Sequence, residues 1–118
     1  MDPVSNRDQI LSRLMSASSL RSQVLADNVA NQNVPGYQRR TVSFEEALRE
    51  RVAAGRNLDG LAPSVQVDTT SPASPDGNNV SLELETNGLR ENWLAFQMYA
   101  EMAQSRIGLI QAAITESR

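Results

Sequence analysis

Residues 80–115 read VSLELETNGLRENWLAFQMYAEMAQSRIGLIQAAIT. Within them Leu89, Trp93, Phe96, Ala100, Ala103, Ile107, Ile110 and Ile114 recur at alternating intervals of four and three, the spacing of a coiled-coil seam. A continuous helix of this length would run roughly 54 Å, too long for a compact globule of this size. Asn79 is the expected N-cap, and Glu83 and Glu85 suit the positive end of the helix dipole. As a closely spaced carboxylate pair they read as solvated. Gly88 costs such a helix about 1 kcal/mol relative to alanine and marks either a kink or a late start. A second apolar stripe, Met98, Met102, Leu109 and Ala113 with Leu94 and Tyr99 at its margins, lies opposite the seam. A helix apolar on two faces must be covered on both.

Working outward, only residues 5–32 offer another long helix. Ser5 is its candidate N-cap, with Asp8 three residues on. Ile10, Leu14, Ala17 and Val24 form its stripe, widened by Leu11, Leu25 and Val29. Arg21 and Asn28, a heptad apart, interrupt that stripe. They are either a snorkelling arginine and a satisfied asparagine, or polar residues that fix register and partner choice between helices. With no third long helix in the chain, the second face of 80–115 points to packing between chains.

The first helix should end among Asn28, Asn31 and Asn33, because asparagine tolerates the left-handed conformation of helix ends. Pro35 pushes Val34 toward extended geometry, and Pro35-Gly36 fits the centre of a type II turn. Tyr37, Val42 and Phe44 then lie on an extended run, followed by a short helix over residues 45–52. Residues 55–76 carry loop chemistry with a possible strand at 64–68, and a loop this long is mobile or ordered by a partner. The expected fold is mainly α: long N- and C-terminal helices (1–33 and 80–118) pair as an antiparallel, coiled-coil-like unit and form one small domain. An irregular, short-β segment (34–79) lies between them.

Composition excludes several functions. The 118 residues hold 40% hydrophobic but only 4% aromatic side chains, so a core must be aliphatic and thin, or completed by other chains. No cysteine and no histidine removes thiolate chemistry, the commonest general base and the commonest metal ligands. The net charge of −3 argues against a nucleic-acid partner. Arg39-Arg40, the sole basic doublet, reads as a solvated strand edge or a contact with an acidic neighbour. No segment has the length and apolarity of a membrane span, and the start lacks the pattern of a secretory signal. Glu45/Glu46 and Glu83/Glu85 are the only carboxylate pairs available for acid–base work. Their members do not face each other, so no catalytic, cofactor-binding or metal residue is assigned.

The block Asn28-Val-Ala-Asn31, then Pro35-Gly36-Tyr37, then Arg39 through Phe44 resembles the N-terminal signature of bacterial flagellar rod and hook proteins. Pro75-Asp-Gly-Asn-Asn-Val80 leading into a helix is similar to the FlgB family of proximal rod proteins, with the companion FlgC family as the alternative. Val34 stands where the axial proteins usually have threonine, and Ser81 where an acidic residue is common. The resemblance implies a structural subunit whose terminal helices pack into a tubular shaft around an export channel. Its implied partners are copies of itself, other rod proteins, the rod-to-membrane-ring adaptor and the export apparatus. It also implies a periplasmic basal-body location reached without a cleaved signal. Asn28, Asn31, Pro35, Gly36, Tyr37 and Phe44 would set the chain path. Leu89, Trp93, Phe96, Met98, Met102, Ile107, Ile110 and Ile114 would be packing contacts. On composition and periodicity alone, a small helical adaptor that binds a partner helix fits equally well.

Overall fold

The computed structural model describes residues 3–116, with side chains described for 6–105 and 111–115. Two long helices, α1 (Pro3–Ala30) and α3 (Leu82–Glu116), flank strand β1 (Arg40–Ser43), helix α2 (Glu45–Ala53) and strand β2 (Ser64–Val67). The molecule measures 68 × 28 × 16 Å, with a radius of gyration of 18.3 Å, against about 13 Å for a compact chain of this size. It is a rod, mainly α, as the helical periodicity requires.

α1 begins at Pro3, a first helical position where a missing N–H costs nothing. Ser5 therefore lies inside the helix rather than capping it, and its side chain falls outside the described residues. α1 and α3 run antiparallel. Near one end the Asn28 amide meets Glu85, and nearer the other the Asn92 amide donates to Ser18 O at 2.7 Å and Ser22 Oγ at 2.9 Å. Between them Gly88 neither kinks nor starts α3. A Cβ at this position would lie 3.3 Å from Leu25 Cδ2, so the glycine lets the leucine of α1 seat against the α3 backbone.

The exit from α1 differs from expectation in one respect. No non-glycine residue has positive φ among the described residues, so the asparagines do not end the helix in the left-handed region. Instead the helix tightens through bonds from Gln32 N to Val29 O and Val34 N to Asn31 O. The Pro35-Gly36 turn then forms as expected, with Gly36 at φ 75° and Tyr37 N donating to Val34 O at 3.2 Å.

β1 and β2 pair antiparallel, with Val42 opposite Val65 and Arg40 opposite Val67. Phe44 follows β1 directly and enters a small core with Ala17, Leu48, Leu58 and Leu61, against which Ile10 and Leu14 pack. Leu58 and Leu61 come from the long loop, which is thus tied to α1 by the chain itself rather than waiting for a partner. Arg13 Nη1 donates to Leu61 O at 2.8 Å and holds it there.

α3 starts after Ser81, whose Oγ accepts from Leu84 N at 3.3 Å. Asn79, the expected cap, is engaged elsewhere. The hydroxyl of Ser81 thus supplies the cap that the usual acidic residue would have offered.

Candidate functional site

Two features of the folded chain bear on function: a polar junction at one end of the helix pair, and the uncovered faces of α3. The junction is built around Asn28, whose side chain is 0% exposed. Its Nδ2 donates to Arg40 O at 2.8 Å and Glu85 Oε2 at 3.1 Å. Its Oδ1 accepts from Arg40 N at 2.9 Å and from the Tyr37 hydroxyl at 3.3 Å. This uses the full capacity of a primary amide. In binding both backbone groups of Arg40, Asn28 takes the place of a neighbouring strand along β1. Arg21, a heptad earlier, repeats the device by donating from Nη2 to Val42 O at 3.0 Å, while its guanidinium pairs with Glu45 at 2.6 Å. The Glu45 carboxyl is held below its usual range by that pairing. Arg21 and Asn28 thus fix α1 against the strand, and Asn28 alone carries the register through to α3.

Glu85 is likewise 0% exposed. It accepts from Arg39 Nε and, at 3.4 Å, from Arg39 Nη2, so it is not the solvated member of a surface pair. Arg39 also donates from Nη1 to Asp68 Oδ2 at 2.8 Å. A buried carboxylate needs such partners, since desolvation of an unpaired charge costs several kcal/mol. Of the two readings of Arg39-Arg40, contact with acidic neighbours holds for Arg39, whereas Arg40 is exposed.

Asn79 completes the junction. Its Oδ1 accepts from Arg39 N at 2.6 Å and its Nδ2 donates to Asp68 O at 2.8 Å, while Asp68 N donates directly to Arg39 O at 2.8 Å. The side-chain amide is therefore inserted into the last rung of the β1–β2 ladder as an extra peptide group. Asn78 serves the α1 exit, donating to Asn31 O at 2.9 Å and Val34 O at 2.8 Å, carbonyls that otherwise accept only the bonds from Val34 N and Tyr37 N. The two turns also touch. Gly36 N donates to Asp76 O at 2.9 Å, and a Cβ on Gly77, which sits at φ 87°, would lie 3.3 Å from Gly36 Cα. Both points demand glycine at 77.

Asp68 gathers the most donors: Thr70 N, Thr70 Oγ1, Ser71 N and Ser71 Oγ besides Arg39. The Ser71 hydroxyl first, and then Arg39, hold its carboxyl far below the usual range. The folded value being lower than the unfolded one, the stability this group contributes is complete above the ordinary value of 3.8 and is lost as pH falls below it. Asp68→Asn should therefore destabilise the chain by a constant amount at neutral pH. The gap to wild type should narrow progressively below about pH 4 in urea titrations at stepped pH.

The structure thus brings Asn28, Asn31, Pro35, Gly36 and Tyr37 to one junction and sends Phe44 to the core. Arg39, Asp68, Asn78 and Glu85 are junction residues that the sequence reading did not single out for this role. Asn28 on an apolar stripe was the visible signal, since a polar residue there requires a buried partner.

The seam on α3 divides. Leu89, Phe96, Ala100 and Ala103 are half-buried, whereas Trp93 is 59% exposed. On the far side Leu94, Met98 and Met102, spaced four apart, are all half or more exposed. Ile114 is exposed, and the side chains of Ile107 and Ile110 lie outside the described residues. A groove of about 470 Å³ runs between α1, β1 and α3, lined in part by Arg21, Thr41, Glu45, Gly88, Asn92 and Tyr99. Its charged Arg21 and Glu45 are already committed to each other.

Comparison with known proteins bears on both features. No family model matches the sequence. The flagellar basal body rod protein FlgB of Borrelia hermsii is 29% identical over 110 residues, covering 76% of this chain and 82% of the relative. FlgB of Aeromonas hydrophila is 32% identical over 114 residues, covering 83% of this chain and 85% of the relative. The chain belongs to the FlgB family of flagellar basal body rod proteins. FlgB of Escherichia coli K12 is 29% identical over 97 residues, or 66% of this chain and 70% of the relative. As a FlgB-family member, the chain is a structural subunit of the basal-body rod, where it assembles with other rod components. The adaptor reading gives way to this one. The block that resembles flagellar rod and hook proteins and the block that resembles the FlgB family are the two that the fold ties together. No described helix is long and apolar enough to cross a membrane.

Proposed function

We propose that α1 and α3 pack side by side with the helices of neighbouring subunits, forming the wall of a tubular shaft that encloses an export channel and transmits torque without any chemical step. The observation that carries this is the apolar surface left on α3 by the chain's own fold: Trp93, Leu94, Met98 and Met102 are exposed on a helix whose other side already holds α1. Leu89, Phe96, Ile107, Ile110 and Ile114 extend the packing surface along the same helix. Residues 1–33 and 80–118 then act as one helical unit, and 34–79 as an arm locked to it by Asn28, Asn31, Pro35, Gly36, Tyr37 and Phe44. The neighbours are copies of this chain, other rod proteins, the adaptor between rod and membrane ring, and the export apparatus. The shaft stands in the periplasm, and its subunits arrive without a cleaved signal.

Trp93→Asp tests the packing role. Because the side chain is exposed in the free subunit, the substitution should change the unfolding free energy by no more than about 0.5 kcal/mol. Incorporation into purified basal bodies should nonetheless fall at least about tenfold, as for a central aromatic anchor in an interface. Intact basal bodies carrying the variant at wild-type levels, in motile cells, would refute the packing role.

A further inference from the structure

Asn87 alone among the asparagines of the chain is followed by glycine. In such a pair the backbone nitrogen of the second residue attacks the side-chain amide carbon of the first. Glycine, with no Cβ, leaves that approach open. Every other asparagine precedes a residue whose Cβ obstructs it.

The fold requires the glycine. A Cβ at position 88 would lie 3.3 Å from Leu25 Cδ2 and 3.4 Å from Leu25 Cδ1, and Leu25 is buried. Asn87, by contrast, is exposed, and its side chain makes no hydrogen bond among the described residues. What protects the pair is the backbone. Residues 87 and 88 lie in the second turn of α3, where the Gly88 N–H is donated to the carbonyl of Leu84, four residues back. A nitrogen held in this way neither gives up its proton nor swings toward the side chain before it. The turn is clamped from both ends: buried Glu85 is tied to Arg39 and Asn28, and Leu25 seats on Gly88.

We propose that Asn87 is a deamidation site that folding closes. Where the second turn of α3 is open, the Gly88 nitrogen bonds to the Asn87 side-chain carbon and expels ammonia, which carries off the proton of the attacking nitrogen. The product is a five-membered succinimide. Water then opens the ring at one carbonyl or the other, leaving aspartate or isoaspartate, so that one water is consumed for each ammonia released. Isoaspartate runs the main chain through the former side chain and adds a methylene to the backbone between Glu85 and Gly88. A turn lengthened in this way does not hold the Glu85 junction and the Leu25 contact in register together. The conversion therefore records the time a chain has spent unfolded, whatever its place in the rod.

The test incubates the purified chain in parallel in buffer and in denaturant at mildly alkaline pH, with peptide mapping of position 87. Conversion in denaturant should be at least about tenfold faster, because in buffer it proceeds only through the open fraction. Asn87→Gln, whose ring would be six-membered, should stay unconverted over the same period. Glu85→Ala, which releases one clamp, should speed conversion in buffer and leave the rate in denaturant unchanged. The isoaspartate form, separated and returned to buffer, should unfold at lower denaturant than the unmodified chain, whereas Asn87→Asp, with its normal backbone, should stay close to it. Equal rates in buffer and denaturant overturn the inference, as does faster conversion of any other asparagine in denaturant. An unchanged rate for Glu85→Ala in buffer overturns the clamp, and a wild-type midpoint for the isoaspartate form overturns the structural consequence.

Discussion

Replacing Glu85 with alanine is expected to lower the unfolding free energy of the free chain by about 3 kcal/mol, the low end of the range for breaking a buried ion pair. Glu85 is completely buried and holds Arg39 and Asn28 together. Without it the guanidinium of the buried Arg39 keeps only Asp68, and Asn28 Nδ2 keeps only Arg40 O. The estimate sits at the low end because those two contacts remain. Urea unfolding of the purified chain measures the loss, and an unchanged midpoint would mean that the junction contributes nothing. A second variant separates desolvation from pairing. Arg39→Met combined with Glu85→Met removes both charges and fills the space with apolar atoms, so it should be less destabilised than Glu85→Ala alone.

Phe44→Ala should have an effect of similar or larger size, about 3–5 kcal/mol. Phe44 is 1% exposed and touches a core of only a few side chains, Ala17, Leu48, Leu58 and Leu61. A core this small has little around the cavity to collapse into it. The damage should be regional: α2 and the loop bearing Leu58 and Leu61 lose their anchor, whereas the Asn92 contacts to Ser18 and Ser22 lie on the α1–α3 interface and do not depend on it. Amide exchange at Leu61, which donates to Leu58 O, should accelerate more than exchange in the middle of α3. Equal acceleration at both sites would show that the core and the helix pair unfold as one unit.

The long helices were legible because their apolar residues recur at helical spacing over many turns, and the turn at Pro35-Gly36 because proline and glycine each allow few conformations. The strands at 40–43 and 64–67 were legible as extended segments from their β-branched residues, but their pairing was not, since it is settled by Asn79 and Asp68 far along the chain. Asn79 misled for a definite reason. An asparagine just before a helix is a good cap, yet Ser81 stands two residues later and can cap equally well, which frees Asn79 for the ladder. Glu85 misled because its neighbours in sequence suggest solvent, and only the facing Asn28 and Arg39 reveal burial. Leu58 and Leu61 sat in a glycine-rich stretch with no period to betray them. The division of α3 into a face for α1 and a face for others was legible in outline, while Trp93 proved to lie on the flank away from α1.

Asn28 and Glu85 are separated by 57 positions, and bringing the ends of such a loop together costs about 3.6 kcal/mol of chain entropy. The bonds of one amide do not meet that cost alone. They form only when Arg39, Asp68 and Asn79, drawn from three further places in the loop, arrive with them. This end of the molecule is therefore cooperative: a subunit has either the whole junction or none of it. A chain with its hairpin undone leaves Asn28 and Glu85 without Arg40 and Arg39, where the finished one presents a rigid corner.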